Sequence, residues 1–100
     1  MLRRIVRLSI QPQHCDQFID IFEATKTQIR SFPGCTHLEL WRAREPDHIF
    51  MTYSHWESEE ALNQYRYSEL FQSTWPKVKV LFADKPKAWS LDLQSQVAPS

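Results

Sequence analysis

Glycine is almost absent from this chain: Gly34 is the only one in 100 residues. Loops that cradle phosphate need several glycines so that backbone N–H groups can close on the anion, which argues against nucleotide-dependent chemistry. Cysteine is scarce as well. Cys15 and Cys35 form no CxxC and no His/Cys grouping at zinc spacing, so two reduced thiols and no metal centre are expected. A single disulfide stays open, because its geometry is not written in the sequence. There is no excess of either charge: 12 basic and 12 acidic residues cancel. That removes the positive field on which general nucleic-acid binding depends. Arg3, Arg4 and Arg7 cluster near the start but read as ordinary mixed surface. No stretch approaches the ~20 apolar residues of a membrane span. Met1 to Arg7 alternates charged and apolar residues where a signal peptide would be uniformly apolar. The expected setting is cytoplasmic, with neither membrane nor nucleic acid as partner.

What the chain does have is aromatic rings, with four Trp, six Phe and three Tyr. A single domain of this size buries only about two-thirds of the surface its unfolded chain exposes. So many rings therefore point to a cavity or an interface in addition to a core.

The hydrophobic rhythm changes along the chain. Leu2, Val6, Leu8 and Ile10 recur with period two, which predicts a strand. Cys15, Phe18, Ile19, Phe22, Ile29 and Phe32 recur at three- and four-residue steps, which predicts a helix over 14–32 that Pro33-Gly34 ends. Strands are predicted over 35–43 and 48–56, joined through Glu45-Pro46-Asp47 as a hairpin. Ser58 and Ser68 are both N-cap candidates, the first followed by acids that suit the helix dipole. Phe71, Trp75, Val78 and Phe82 keep helical spacing, with Pro76 expected to kink the helix or start a new one. A last strand is predicted over 87–93, with Trp89, Leu91 and Leu93 on one face.

The order is β-α-β-β-α-β, an α+β, ferredoxin-like antiparallel sheet with helices on one face, over residues 1–93, with 94–100 as a loose tail. The other sheet face would carry Ile5, Trp41, Ile49, Met51 and Tyr53. Monomers avoid such an exposed patch, and a second copy of the chain is its simplest cover, so a homodimer is expected. His37 and His55 fall on that face by alternation, while His14 and His48 lie at element ends as surface groups.

Phe32-Pro33-Gly34-Cys35 leading into a strand, the run Tyr53 to Leu62 turning a strand into a helix, and Ser68-Glu69-Leu70-Phe71 before an amphipathic segment together carry a resemblance. They resemble the antibiotic biosynthesis monooxygenase family of dimeric α/β barrels, with matching element order over about residues 2–93. The family includes cofactor-independent oxygenases of polycyclic phenols, quinol oxidases and haem-degrading enzymes. The resemblance implies a ligand pocket between sheet and helices, walled here by Val6, Leu40, Ser54, Trp56, Tyr65, Phe71, Trp75 and Trp89. The haem-degrading branch is disfavoured, because its strand-one Asn corresponds to Val6 and its haem-ligating His to Trp75.

The expected function is a cofactor-independent monooxygenase of a planar phenolic or quinol molecule, with Tyr65 and Trp56 as catalytic residues. Such a reaction needs a dry aromatic pocket, a proton acceptor, and hydrogen-bond donors for the substrate anion. The alternative is a non-catalytic dimer that binds an apolar small molecule.

Overall fold

The computed structural model describes residues 1–100. Strand β1 spans Leu2–Ser9, and a short 3₁₀ turn at Pro12–His14 leads into α1, Cys15–Arg30. Strands β2 (Cys35–Arg42) and β3 (Ile49–Trp56) follow, then α2 (Glu59–Arg66), α3 (Glu69–Lys79) and β4 (Lys87–Leu91). The four strands form one antiparallel sheet in the order β2-β3-β1-β4, an open α+β sheet of ferredoxin-like type.

The second expected helix is two helices, and the break lies at Ser68 and not at Pro76. The Ser68 hydroxyl accepts the Phe71 N–H at 3.2 Å and donates to the Tyr65 carbonyl at 2.6 Å, closing α2 and opening α3 in one residue. Pro76 sits within α3, which continues to Lys79. Ser58 caps α2 in the same way, accepting the Ala61 N–H at 3.0 Å. The last strand stops at Leu91, two residues earlier than its alternation predicts, and residues 92–100 carry no helix or strand. Both cysteines are buried, free thiols.

Gly34 earns its place as the only glycine. Its φ is +90°, and a Cβ there would stand 2.5 Å from the Ala61 Cβ. Only glycine allows both this backbone conformation and this close approach of α2 to the sheet.

The register assigns every strand residue to a face. Across β2, β3, β1 and β4 the rows Glu39, Tyr53, Ile5, Trp89 and Leu38, Ser54, Arg4, Ser90 lie on opposite sides. The helices cover the second side, where the packing is split. A larger core joins Leu8, Ile10, Cys15, Phe18, Phe50, Val78 and Leu81. A smaller one joins Cys35, Trp56 and Leu62.

Candidate functional site

Between these two cores the helices and sheet do not meet, and a cavity of about 130 Å³ remains. Leu8, Phe18 and Val78 of the larger core wall one side, and Trp56 and Leu62 of the smaller core wall the other. The volume is on the scale of a single aromatic ring, since an engineered cavity of roughly 150 Å³ holds benzene. A larger planar molecule would extend through the opening.

One wall is an unbroken series of rings. Trp56 stacks on Tyr65 at 5.0 Å between centroids, and Tyr65 meets Phe71 edge-on at 5.3 Å. Phe71 stacks on Trp75 at 5.4 Å, and Trp75 in turn meets Phe82, outside the cavity lining, at 5.5 Å. The helix break at Ser68 makes this possible: it carries the series from Tyr65 on α2 to Phe71 on α3.

Besides Thr25, Thr52 and Thr74, the polar side chains of the cavity are those of Arg4, Ser54, Trp56 and Tyr65. Trp56 is only 2% exposed, and its indole N–H donates to the Ser54 hydroxyl at 3.0 Å. That leaves the Ser54 O–H free to donate in turn. The Tyr65 hydroxyl has no hydrogen-bond partner in the chain, and burial, then the neighbouring Cys35, pushes its pKa up to about 12. At neutral pH Tyr65 is therefore a donor and not a base. No Asp, Glu or His lines the cavity, and Arg4 is its only charged residue. The arrangement can hold a flat apolar ring and donate hydrogen bonds to an oxygen on it. It offers no side chain that accepts a proton at neutral pH.

The model of the antibiotic biosynthesis monooxygenase family matches residues 1–76. The chain belongs to that family. Solved structures agree in fold along nearly the whole length. One, described as an antibiotic biosynthesis monooxygenase, superposes with a TM-score of 0.89 at 19% identity, covering 95% of this chain and 100% of its own. A conserved protein from Methanosarcina mazei gives 0.88 at 15% identity, over 93% of this chain and 92% of its own. A Pseudomonas aeruginosa protein gives 0.83 at 21% identity, over 94% of each chain. Among curated proteins, none matches.

Against this family frame, the structure brings six of the expected pocket residues together: Val6, Ser54, Trp56, Tyr65, Phe71 and Trp75 all line the cavity. Leu40 does not; it packs against the larger core from β2. Trp89 does not either. Its register with Ile5 places it on the helix-free face, where it is 46% exposed. Arg4 was expected at the surface and instead belongs to the lining. The signal was available in its even position, which it shares with Leu2, Val6 and Leu8 on the helix-facing side of β1. Phe22 and Ile29 of α1 also line the cavity.

The helix-free face is where the titratable groups gather. The His37 ring and the Glu39 carboxylate share a hydrogen bond of 2.6 Å, and the Trp41 N–H donates to Glu39 at 2.7 Å. His55 meets the Tyr53 hydroxyl at 2.7 Å, and Trp41 stacks on Tyr53. The hydrogen bond from His37, then that from Trp41, holds Glu39 below the usual carboxylate range. Burial, then Arg3 and His37, holds the His55 pKa below its ordinary value.

Proposed function

We propose that this member of the family is a monooxygenase of small phenolic or quinol ring compounds that works without an organic cofactor or metal, with Tyr65 and Trp56 as its catalytic pair. The observation that carries this reading is the aromatic cavity whose uncommitted polar hydrogens, those of Tyr65 and Ser54 among them, are donors. Trp56 acts as a wall and through Ser54, because its own N–H is committed to that hydroxyl.

The chemistry closes without another reductant. A phenol ionises, its para carbon adds O₂ to form a C–O bond, and the resulting hydroperoxide takes up the proton. The O–O bond then breaks as the para hydrogen leaves with hydroxide as water. One oxygen atom stays as the new carbonyl of a quinone and the other becomes water, so phenol plus O₂ balances quinone plus H₂O. Donors placed at the phenolic oxygen stabilise the anion that must form. The phenolic proton leaves to water at the cavity opening, since the lining holds no acceptor.

The chain would act as a homodimer, paired through the sheet face that carries Ile5, Trp41, Met51, Tyr53 and Trp89. Trp41 and Trp89 are 44% and 46% exposed there, which is unusual for rings this large in a monomer.

The test is oxygen uptake with 1-naphthol and related hydroxynaphthalenes, under ¹⁸O₂. One labelled atom per quinone is expected, with turnover about 100-fold lower in Tyr65→Phe, within the range for loss of a single oriented donor. The second reading is a binding protein without turnover, favoured by the absence of any proton acceptor in the lining. Tight quenching of Trp fluorescence by a naphthol, with no oxygen consumed above buffer, would establish it.

A further inference from the structure

Arg4 is the one charged group of the cavity, and the reading above does not use it. It projects from the helix-facing side of β1, opposite Ser54 on β3 and Ser90 on β4. Its guanidinium has five N–H donors. The single hydrogen bond it makes in the chain runs from Nη1 to the Ser90 hydroxyl at 3.1 Å. No carboxylate forms an ion pair with it, and the charged side chain that acts on it is like-signed, Arg66 at the end of α2. The groups facing Arg4 from β3 and β4 are uncharged serines. The chain therefore holds a half-buried cation, beside a second cation, at the edge of an apolar cavity and without a counter-ion.

An arginine cannot shed its proton to relieve this, so the remedy is a bound anion. Ser54 stands directly across the strand pair from Arg4, within the ~5 Å of a cross-strand neighbour, and its O–H is free. Arg4 and Ser54 both line the cavity, so each can present donors to an anionic oxygen held in it. We propose that Arg4 is an anion subsite of this cavity, and that the ligand is a planar aromatic oxyanion, phenolate or carboxylate, whose charged oxygen lies between Arg4 and Ser54. Arg66 adds to the positive potential at Arg4. The inference rests on the aromatic-cavity reading and specifies the ligand's charge. It also bears on the missing base: a site that favours the anion lowers the proton affinity of a bound phenol and lets water take the proton.

Three probes test it on the full chain. They are 4-nitro-1-naphthol, whose anion absorbs in the visible; 1-naphthoate, a permanent carboxylate; and 1-methoxy-4-nitronaphthalene, a neutral ether of the same shape. Binding is read by Trp quenching, and ionisation of the nitronaphthol by its absorbance. The expected result is a bound nitronaphthol that ionises about one pH unit lower than when free, equivalent to about tenfold preference for the anion. Preference for the nitronaphtholate over the ether assigns the phenolate as the natural form, and preference for the naphthoate assigns the carboxylate. Arg4→Gln should collapse either anion-to-ether ratio toward one, Arg4→Lys should keep part of it, and Arg66→Gln should lower it less than Arg4→Gln. If the ether binds but neither anion is preferred and the bound ionisation is unshifted, the anion subsite is wrong while the aromatic cavity stands. If none of the three binds, the cavity reading fails and takes the subsite with it. The wild-type ionisation shift decides the matter even should Arg4→Gln not fold.

Discussion

The two faces of this one sheet are built on opposite rules. The helix-covered face holds a largely apolar cavity walled by stacked rings, with a phenol that stays protonated, serine and threonine hydroxyls and a single cation. The helix-free face holds His37, Glu39, Tyr53 and His55 in a hydrogen-bonded patch with Trp41. Histidine and carboxylate side chains are absent from the cavity lining and gather on the other face. Side chains of successive strand residues point to opposite faces, so one strand supplies both environments: Ser54 and Trp56 face one way, Tyr53 and His55 the other. On the proposed function, binding, donation and anion stabilisation belong to the first face. Its counterpart is suited to association, where protonation would be felt as a change in stability or pairing.

The contrast can be broken most severely at Trp56. Trp56→Ala removes the largest ring of the smaller core, and a loss of about 4 kcal/mol is expected. At the sensitivity of a domain this size, the melting temperature should fall by more than ~15 °C. A fall of under ~5 °C would show that Trp56 does not hold the cavity wall. Gly34→Ala should cost about 2 kcal/mol, by forcing a Cβ into Ala61 and a side chain into positive φ. Adding Ala61→Gly should recover part of that loss, leaving the conformational part.

Tyr65 sharpens the comparison at high pH. Its folded pKa, about 12, lies above the ordinary 10.0, so the unfolded chain ionises first as pH rises. Its contribution is intact below pH 10 and is lost between 10 and 12, a matter of roughly 2–3 kcal/mol from two pH units. Subtracting the alkaline stability curve of Tyr65→Phe from the wild type should isolate that decline; superimposable curves would contradict the buried phenol. On the other face, Trp41→Arg should dissociate the proposed dimer in sedimentation while leaving ligand binding in place. Persistence of the dimer would move the interface elsewhere.

The smallest effect is acidic. His55 is held neutral in the fold, so the unfolded chain takes its proton first below about pH 6.5 and stability declines from there. Glu39, held ionised, adds its contribution above about pH 4.5 and loses it as pH falls through its lowered folded value. The His55→Gln variant should flatten the upper part of this acid limb and Glu39→Gln the lower part.

The fold was legible because its signals are local. Period two in 2–10, 35–43 and 48–56, helical spacing from Cys15, and the Ser58 and Ser68 caps are all contained within a few residues. The cavity wall was legible where it followed from those periods together with the family resemblance, as with Trp56, Tyr65, Phe71 and Trp75. Trp89 was not, because β4 is short and its face depends on which β1 residue it pairs with. Leu40 shares the helix side but lies over the larger core, a distinction that requires knowing where the helices cross the sheet. Arg4 was legible in parity and masked by its chemistry, since a charged residue among arginines reads as surface.

By itself, the sequence determined the element order, the alternation that gives the sheet two unlike faces, and the single position where glycine is required. Those are matters of backbone preference and near-neighbour spacing. Only the tertiary structure decided that two cores form in place of one, that a cavity remains between them, and that Arg4 borders it without a counter-ion. Such features depend on the register of strands far apart in the chain and on where three helices settle over them. Almost without glycine and without net charge, the chain still places one unpaired cation in the lining of its cavity.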